Sequence, residues 1–192
     1  MRHMFWLAFL CFSIQAHSQE RSGPFGFEAG MTREQIIQVV GQGAVKESDA
    51  DTLILAAAPK AHPDFGYYAL KVSPGSGLMK IIAMGKDIPT DAFGSEMKNA
   101  YKGLSDQLAA VYGKPNHKLD RLNNGSIWFG PDDWMMALLK GDRMLACSWM
   151  EMPLPDKISF IRLEVVAKSK DTGFLSLTYE FEGFAEYMNQ KK

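Results

Sequence analysis

The sequence predicts an α+β protein in which two helices pack on one face of an antiparallel sheet. Two segments combine start and stop signals for a helix with apolar residues at helical spacing. Other segments are rich in strand-forming residues, and the last of them alternate apolar and polar side chains strictly. Turn residues separate these strand segments at distances that are typical of hairpins.

The first predicted helix covers residues 33–40. Thr32 is a favourable N-cap residue, and Gln35 stands where its side chain can complete a capping box. Met31 before the cap and Ile36 at the fourth helical position can form a hydrophobic staple. Together these residues specify where a short helix begins.

The second predicted helix runs from about Ala92 to Tyr112. Asp91 or Thr90 can cap its start, and Pro115 prevents its continuation. Spacings of three and four place six apolar residues on one face of this helix. They are Phe93, Met97, Tyr101, Leu104, Leu108 and Val111.

The two predicted helices end alike. Val39-Val40-Gly41 and Val111-Tyr112-Gly113 each place a glycine where it can adopt the left-handed conformation that stops a helix. Strand-like segments follow both. The sequence therefore predicts one domain over residues 25–192, in which residues 25–90 and 91–192 are candidate helix-plus-meander units in tandem.

The strands of the first unit are predicted at three places. Thr52 to Ala58 is strand-like, and residues 61–64 break the chain after it. Tyr67 to Val72 and Leu78 to Met84 form a predicted hairpin around the loop of residues 73–77.

The second unit is predicted to contain a hairpin of Trp134 to Leu139 with Arg143 to Trp149. Gly141 and Asp142 would form its two-residue turn. Both faces of these segments are apolar, which predicts a central place in the sheet. The expected cross-strand pairs are Leu139 with Met144, Met136 with Cys147, and Trp134 with Trp149.

The last predicted hairpin joins strands of residues 161–168 and 175–181 through a loop of residues 169–173. Apolar residues alternate with polar ones in both strands, so each strand buries one face. The loop length predicts that Leu163 pairs with Tyr179 and that Arg162 pairs with Glu180.

Residues 25–43, with Gly30-Met31-Thr32 at their centre, resemble the repeat unit of the β-lactamase-inhibitor-protein fold. They are similar also to the small outer-membrane-assembly lipoproteins of the SmpA/OmlA (BamE-like) group. In both groups a Gly-Met-Thr helix start and a glycine stop precede an antiparallel sheet. The resemblance implies an exported α+β domain that binds other proteins and has no catalytic residues. The chain lacks the disulfides of those inhibitors and shows no lipidation signal.

Residues 1–18 have the features of a secretory signal peptide. A short basic start precedes an apolar run from Met4 to Ile14, and Ala16-His17-Ser18 offers small residues for cleavage. The alternatives are a retained anchor and a lipoprotein signal that ends at Cys11, although two bulky residues precede that cysteine. We therefore expect a periplasmic or secreted protein without a transmembrane segment after cleavage, and residues 19–24 as a flexible lead-in.

Charge and cysteine usage restrict the classes of partner. Twenty Lys and Arg against twenty-two Asp and Glu give the processed chain a formal net charge of −2, without a basic block. This argues against nucleic acid and anionic membrane surfaces as partners. Cys147 would be the single remaining cysteine, which is either buried or a site for an intermolecular disulfide, and its apolar neighbours favour burial.

No catalytic motif or metal-binding pattern is evident, so no catalytic residue, metal or cofactor is predicted. His62 and His117 are distant in sequence, and no Gly-x-Ser-x-Gly elbow is present. Asp49 and Asp51 lack the remaining ligands of a calcium loop, which favours a solvated turn. The Asp132-Asp133 pair after Gly130-Pro131 is likewise typical of a turn.

Aromatic residues and methionines are dense between residues 128 and 152. Most of them are expected in the core, but some can cover a second surface, because the predicted strands are apolar on both faces. Such residues are enriched in binding surfaces. The candidates for a partner or ligand surface are Trp128, Trp134 and Trp149.

Three functions remain open, and each predicts a different structure. A non-enzymatic domain that binds another envelope or secreted protein should expose an apolar patch with at least one of the three tryptophans. The alternative, a protein that binds a small apolar ligand between sheet and helices, requires an enclosed cavity. A hydrolase-type enzyme is the third, and should place His62 or His117 beside a carboxylate or hydroxyl in a cleft.

Overall fold

The computed structural model describes residues 23–190. The predicted signal peptide, Cys11 and most of the predicted lead-in lie outside the described residues. Gly23 and Pro24, the end of that lead-in, are buried, and a short 3-10 turn begins at Pro24.

Nine strands and four α-helices make up the described part of the chain. The strands are β1 (Val45–Ser48), β2 (Thr52–Leu55), β3 (Phe65–Ser73), β4 (Gly77–Gly85), β5 (Ile88–Pro89), β6 (His117–Leu122), β7 (Arg143–Met150), β8 (Ile158–Ala167) and β9 (Thr172–Phe181). The helices are α1 (Arg33–Val40), α2 (Ser95–Tyr112), α3 (Trp134–Leu139) and α4 (Phe184–Gln190).

All strand pairings are antiparallel, which confirms the predicted fold class. The order across the sheet is β1-β2-β3-β4-β9-β8-β7-β6, and β5 adds to the end of β9. Helix α1 precedes the meander β1–β4, and α2 precedes the meander β6–β9. The last strands of the two meanders, β4 and β9, pair with each other. The fold is therefore a tandem of two helix-plus-meander units that share one continuous sheet.

One face of the sheet carries the core. Apolar side chains at alternate positions of β2, β3, β4 and β7–β9 point to this face and form one buried cluster with the helices. Ile36 is contributed by α1, Met97, Leu104 and Leu108 by α2, and Met135 by α3. The space between helices and sheet is thus occupied by side chains.

The start of α1 follows the prediction. The Thr32 side chain accepts a hydrogen bond from the Gln35 backbone N–H (3.3 Å), and the Gln35 side chain accepts one from the Thr32 N–H (2.8 Å). Ile36 is fully buried, and Met31 packs partly buried against the core. Gly41 ends the helix with a φ of 82°.

Helix α2 ends at Tyr112, as predicted, but it starts three residues later than predicted. It begins at Ser95, and Asp91 accepts hydrogen bonds from the Ser95 backbone N–H (2.9 Å) and hydroxyl (2.8 Å). These bonds lower the pKa of Asp91. Phe93 precedes the helix and is half exposed, and Val111 in the last turn is 69% exposed, so the buried face is shorter than predicted.

The predicted hairpin of residues 134–149 is wrong in its first half. Residues 134–139 form helix α3, and β7 pairs with β6 and β8 instead. Met, Ala and Leu are strong helix formers. Gly141 adopts a φ of 74°, and its N–H and that of Asp142 bond to the carbonyls of Leu138 (3.0 Å) and Ala137 (2.8 Å). This is a helix-ending Schellman motif and not a hairpin turn.

The last hairpin is present, but its predicted register is wrong by two residues. Leu163 pairs with Leu177, and Tyr179 pairs with Ile161. The loop is shorter than expected, because Lys168 and Ser169 both donate backbone hydrogen bonds to the carbonyl of Thr172 (2.9 and 3.0 Å). A shift of two residues keeps every side chain on its predicted face, so alternation alone could not detect it.

In the first unit, the β3–β4 hairpin is confirmed and the predicted strand from Thr52 ends at Leu55 instead of Ala58. The Asp49 segment is a turn, as predicted, because the Asp49 carboxylate accepts the backbone N–H groups of Asp51 (2.9 Å) and Thr52 (2.7 Å).

Replacing Thr32 with Ala should lower the free energy of unfolding by about 1 kcal/mol, the usual value of an N-cap. Thr32→Ser keeps the hydroxyl and should stay close to the native protein. Urea denaturation followed by circular dichroism measures both variants. Equal stability of Thr32→Ala and Thr32→Ser would contradict the capping role.

Gly94→Ala should be much more damaging than a cap deletion. Gly94 has a φ of 69°, and an added Cβ would collide with the indole ring of Trp134. Left-handed strain and overpacking together should cost about 3 kcal/mol. Gly103→Ala, in the open middle of α2, is the control and should not destabilise. Thermal unfolding compares the midpoints of the two variants. Similar midpoints would refute the close packing of Gly94 against Trp134.

Candidate functional site

Two of the three candidate tryptophans belong to the core. Trp149 is fully buried, and its indole N–H donates a 2.7 Å hydrogen bond to the Gly113 carbonyl at the end of α2. Trp134 is 5% exposed, and the Lys98 ammonium lies 4.5 Å from the centre of its ring. Neither side chain is accessible to a partner, so Trp134 and Trp149 do not belong to a binding surface.

Trp128 lies at the surface, between two strongly exposed apolar neighbours. Ile127 is 74% exposed and Phe129 is 78% exposed. Trp128, which stands between them in the sequence, is partly buried. These three residues form the tip of the connection from β6 to α3, residues 123–130, which we call the apolar loop. Sequence reasoning identified Trp128 but missed Ile127 and Phe129. Their position among Gly125, Ser126 and Gly130 was the available signal, since turn formers place a segment at the surface.

The first end of the apolar loop is fixed to the start of β7. The Asn123 backbone N–H donates to the Asp142 carbonyl (2.7 Å), and the Ser126 hydroxyl donates to the Asp142 carboxylate (2.8 Å). The same Ser126 oxygen accepts the backbone N–H of Trp128 (3.1 Å). A single serine thus connects the apolar tip to the sheet.

The second end of the loop continues directly into the core. The Gly130 N–H donates to the Asp133 carboxylate (3.0 Å), and the Asp133 N–H donates back to the Gly130 carbonyl (3.0 Å). This closed turn leads into α3, where Met135 is fully buried and donates its backbone N–H to the Ala92 carbonyl (3.2 Å). The Asp132-Asp133 pair is therefore turn chemistry, as predicted.

Further exposed apolar side chains lie on the segments that anchor the apolar loop. Phe93 follows the Ala92 carbonyl that binds α3 and is 49% exposed, Leu139 ends α3 and is 37% exposed, and Met144, the second residue of β7, is 38% exposed. The other exposed large apolar residues of the described chain are spread over α1, α2, β3 and α4. Ile127 and Phe129 are the two most exposed of all these side chains, and only one residue separates them.

The histidines form no nucleophilic site in the described residues. His62 Nδ1 lies 3.8 Å from the Asp64 carboxylate, but it also faces the Asp64 backbone N–H at 3.3 Å, and Nε2 faces the Gln107 side-chain oxygen at 3.4 Å. Neither ring nitrogen contacts a hydroxyl or thiol. His117 is exposed at the start of β6. His62 contacts Phe65 and Gln107, whereas His117 pairs with Ser148 of β7.

Cys147 is 2% exposed, which confirms its predicted burial. Its sulfur lies 3.6 Å from the Ser105 hydroxyl on α2. The pKa of the neighbouring Tyr101 lies well above its ordinary value. Burial is the main cause, and the hydrogen bond to Cys147 is the second. Tyr101 therefore stays neutral, and this group of side chains fills the interface between α2 and the sheet.

The grooves of the molecule lie elsewhere. One of about 670 Å³ is open to solvent and is lined by the β3–β4 loop, Ala29 and Gly30, Lys157 and residues of α4. Its lining contains none of the three tryptophans. Leu78, Met79 and Phe181 of the sheet also line it, but no residue of α1, α2 or α3 does. It is an open groove and not the enclosed cavity that the small-ligand hypothesis requires.

Comparisons with protein-family models, with curated proteins and with solved structures found no match. Among residues 23–190, no helix is long and apolar enough to cross a membrane. The same residues contain no group of three or more His, Cys, Asp or Glu side chains that could hold a metal ion.

Ser126→Ala should loosen the apolar loop without disturbing the core. Loss of the Asp142 and Trp128 contacts should destabilise by about 1 kcal/mol and speed amide hydrogen exchange at Trp128. Ser159→Ala removes a distant surface hydroxyl that donates to the Glu180 carbonyl, and should leave Trp128 unchanged. Exchange at Trp128 that is equal in the two variants would show that Ser126 does not hold the loop.

Proposed function

We propose that this chain is an exported, periplasmic or secreted, non-enzymatic protein that binds another envelope or secreted protein through the apolar loop. Ile127 and Phe129 are the anchors in this proposal, and the partly buried Trp128 stands between them in the sequence. The observation that carries the proposal is their exposure of 74% and 78% on a loop that is hydrogen-bonded at both ends.

The energetics favour a partner at these side chains. Burying one large apolar side chain contributes about 1.5–3 kcal/mol. Two such residues therefore supply a substantial part of a micromolar affinity, which corresponds to about 8 kcal/mol. Because the loop is already ordered by Ser126 and Asp133, little further entropy is lost on binding. Aromatic residues on a preorganised loop are typical of the centre of protein interfaces.

Two sequence features support the cellular context. The apolar run and small residues of the first eighteen positions predict export. The resemblance of residues 25–43 to exported inhibitor and outer-membrane-assembly domains implies a protein partner. The absence of a catalytic motif in the sequence agrees with a binding role.

The double variant Ile127→Ser/Phe129→Ser should lose its partner while keeping its fold. Affinity capture from native envelope extract, with the native protein and the variant as baits, compares the proteins retained. At least one protein that the native bait retains should be depleted by more than tenfold on the variant, since two buried anchors are removed.

Val111→Ser is the matched control, because Val111 is 69% exposed on α2, away from the loop in sequence and element. It should retain the same proteins as the native bait. Equal thermal midpoints of the three baits exclude misfolding. If loop and control variants retain the same proteins in the same amounts, the apolar loop is not the binding surface.

A further inference from the structure

The two edges of the sheet differ in how they are protected. Edge strands present unpaired backbone groups that can accept a further strand, and proteins usually shorten, bend or cover them. The β1 edge shows the first two of these devices. It has only four residues, and its pairing with β2 is irregular between Val45 and Glu47. The Arg33 guanidinium also bonds to the Ser48 hydroxyl and to the carbonyls of Asp49 and Ala50 in the turn that follows the strand.

The β6 edge, in contrast, is regular and held in place. Six consecutive residues, His117 to Leu122, pair with β7 without a register shift. Asn116 fixes the first end, where its amide donates to the Met150 carbonyl (2.6 Å) and accepts the Met150 N–H (3.2 Å). Asn123 fixes the other end through Asp142 and Gly141. No strand of the described chain covers the outer side of β6.

The exposed side chains along this edge are predominantly basic. Lys114, Lys118 and Arg121 are exposed and take part in none of the ion pairs among residues 23–190. Asp120 is the one acidic residue of β6, and it is already paired with Arg143 at 2.7 Å. The positive edge disfavours a basic strand and is complementary to an acidic one.

We infer that the β6 edge binds an extended acidic segment of the partner protein by antiparallel or parallel strand addition. Backbone groups at every second residue of His117–Leu122 would bond to the segment, and Lys118 and Arg121 would select its negative charge. This inference rests on the proposed function for its partner, because β6 leads directly into the apolar loop at Asn123. The loop would then hold an apolar part of the same partner next to the added strand.

The test uses two synthetic peptides with blocked ends, one of repeating Val-Val-Glu-Glu and one of repeating Val-Val-Lys-Lys. Lys118 and Arg121 lie on opposite faces of the sheet, so each peptide must carry charges on both of its faces. Nuclear magnetic resonance of the labelled protein follows shifts and amide exchange in β6. The acidic peptide should shift the resonances of His117–Leu122 and slow exchange at alternate amides. The basic peptide should do neither. Absence of binding, or binding of the acidic peptide without alternating protection, overturns the inference.

Charge reversal supplies the matched variants. Lys118→Glu/Arg121→Glu should weaken binding of the acidic peptide by about tenfold, because two attractions between exposed charges become repulsions. It should also bind the basic peptide better than the native protein does. Lys46→Glu, on the opposite edge strand β1, should change neither affinity. Equal effects of the two variants would show non-specific attraction and overturn the inference.

The outcomes separate this inference from the proposed function. If the peptides behave as expected but Ile127→Ser/Phe129→Ser still captures the native partner, strand addition stands and the role of the apolar loop fails. If the loop variant loses its partner while Lys118→Glu/Arg121→Glu captures it normally, the proposed function stands and strand addition is wrong.

Discussion

The pairing of β4 with β9 is the constraint on which the rest of the fold depends. Five residue pairs, from Lys80 with Glu180 to Met84 with Ser176, join the two meanders into one sheet. At its centre Ile81 is fully buried opposite Tyr179, which is 4% exposed. Such apolar burial contributes about 1.5–3 kcal/mol for each large side chain, against about 0.2–1 kcal/mol for an opposed charge pair such as Lys80–Glu180. Packing, more than the ion pair, therefore holds the units together.

This central junction leaves the first strand of each meander at an edge. The arrangement that buries β4 and β9 in the sheet leaves β1 and β6 at its edges, and these two edge strands differ in length and regularity. Strand β1 is short and irregularly paired, which disfavours the addition of a further strand. The second unit instead inserts α3 between β6 and β7, and the connection into α3 carries Ile127 and Phe129 outward. The proposed binding surface is thus the part in which the second unit departs from the first.

Local signals in the sequence predicted much of the architecture. The Thr32–Gln35 box defined α1, and Gly113 defined the end of α2, because capping depends on neighbouring residues only. Sequence signals that are compatible with two different structures led to wrong predictions. Gly141 can end a helix or form a hairpin turn, and tertiary packing of Met135 decided for the helix. Trp128, Trp134 and Trp149 have the same chemistry, and only the fold separates the partly exposed Trp128 from the two buried residues. The strong exposure of Ile127 and Phe129 could not be predicted from the sequence, because exposure depends on the whole structure.

Site-specific photo-cross-linking tests the central claim most directly. A benzophenone amino acid in place of Phe129 reports which proteins touch the apolar loop in the native envelope, and the same probe in place of Val111 reports contacts of exposed α2. The account predicts a discrete cross-linked protein from position 129 that is absent from position 111. Cross-links from position 111 alone, or the same products from both positions, would contradict the assignment of the binding surface to the apolar loop.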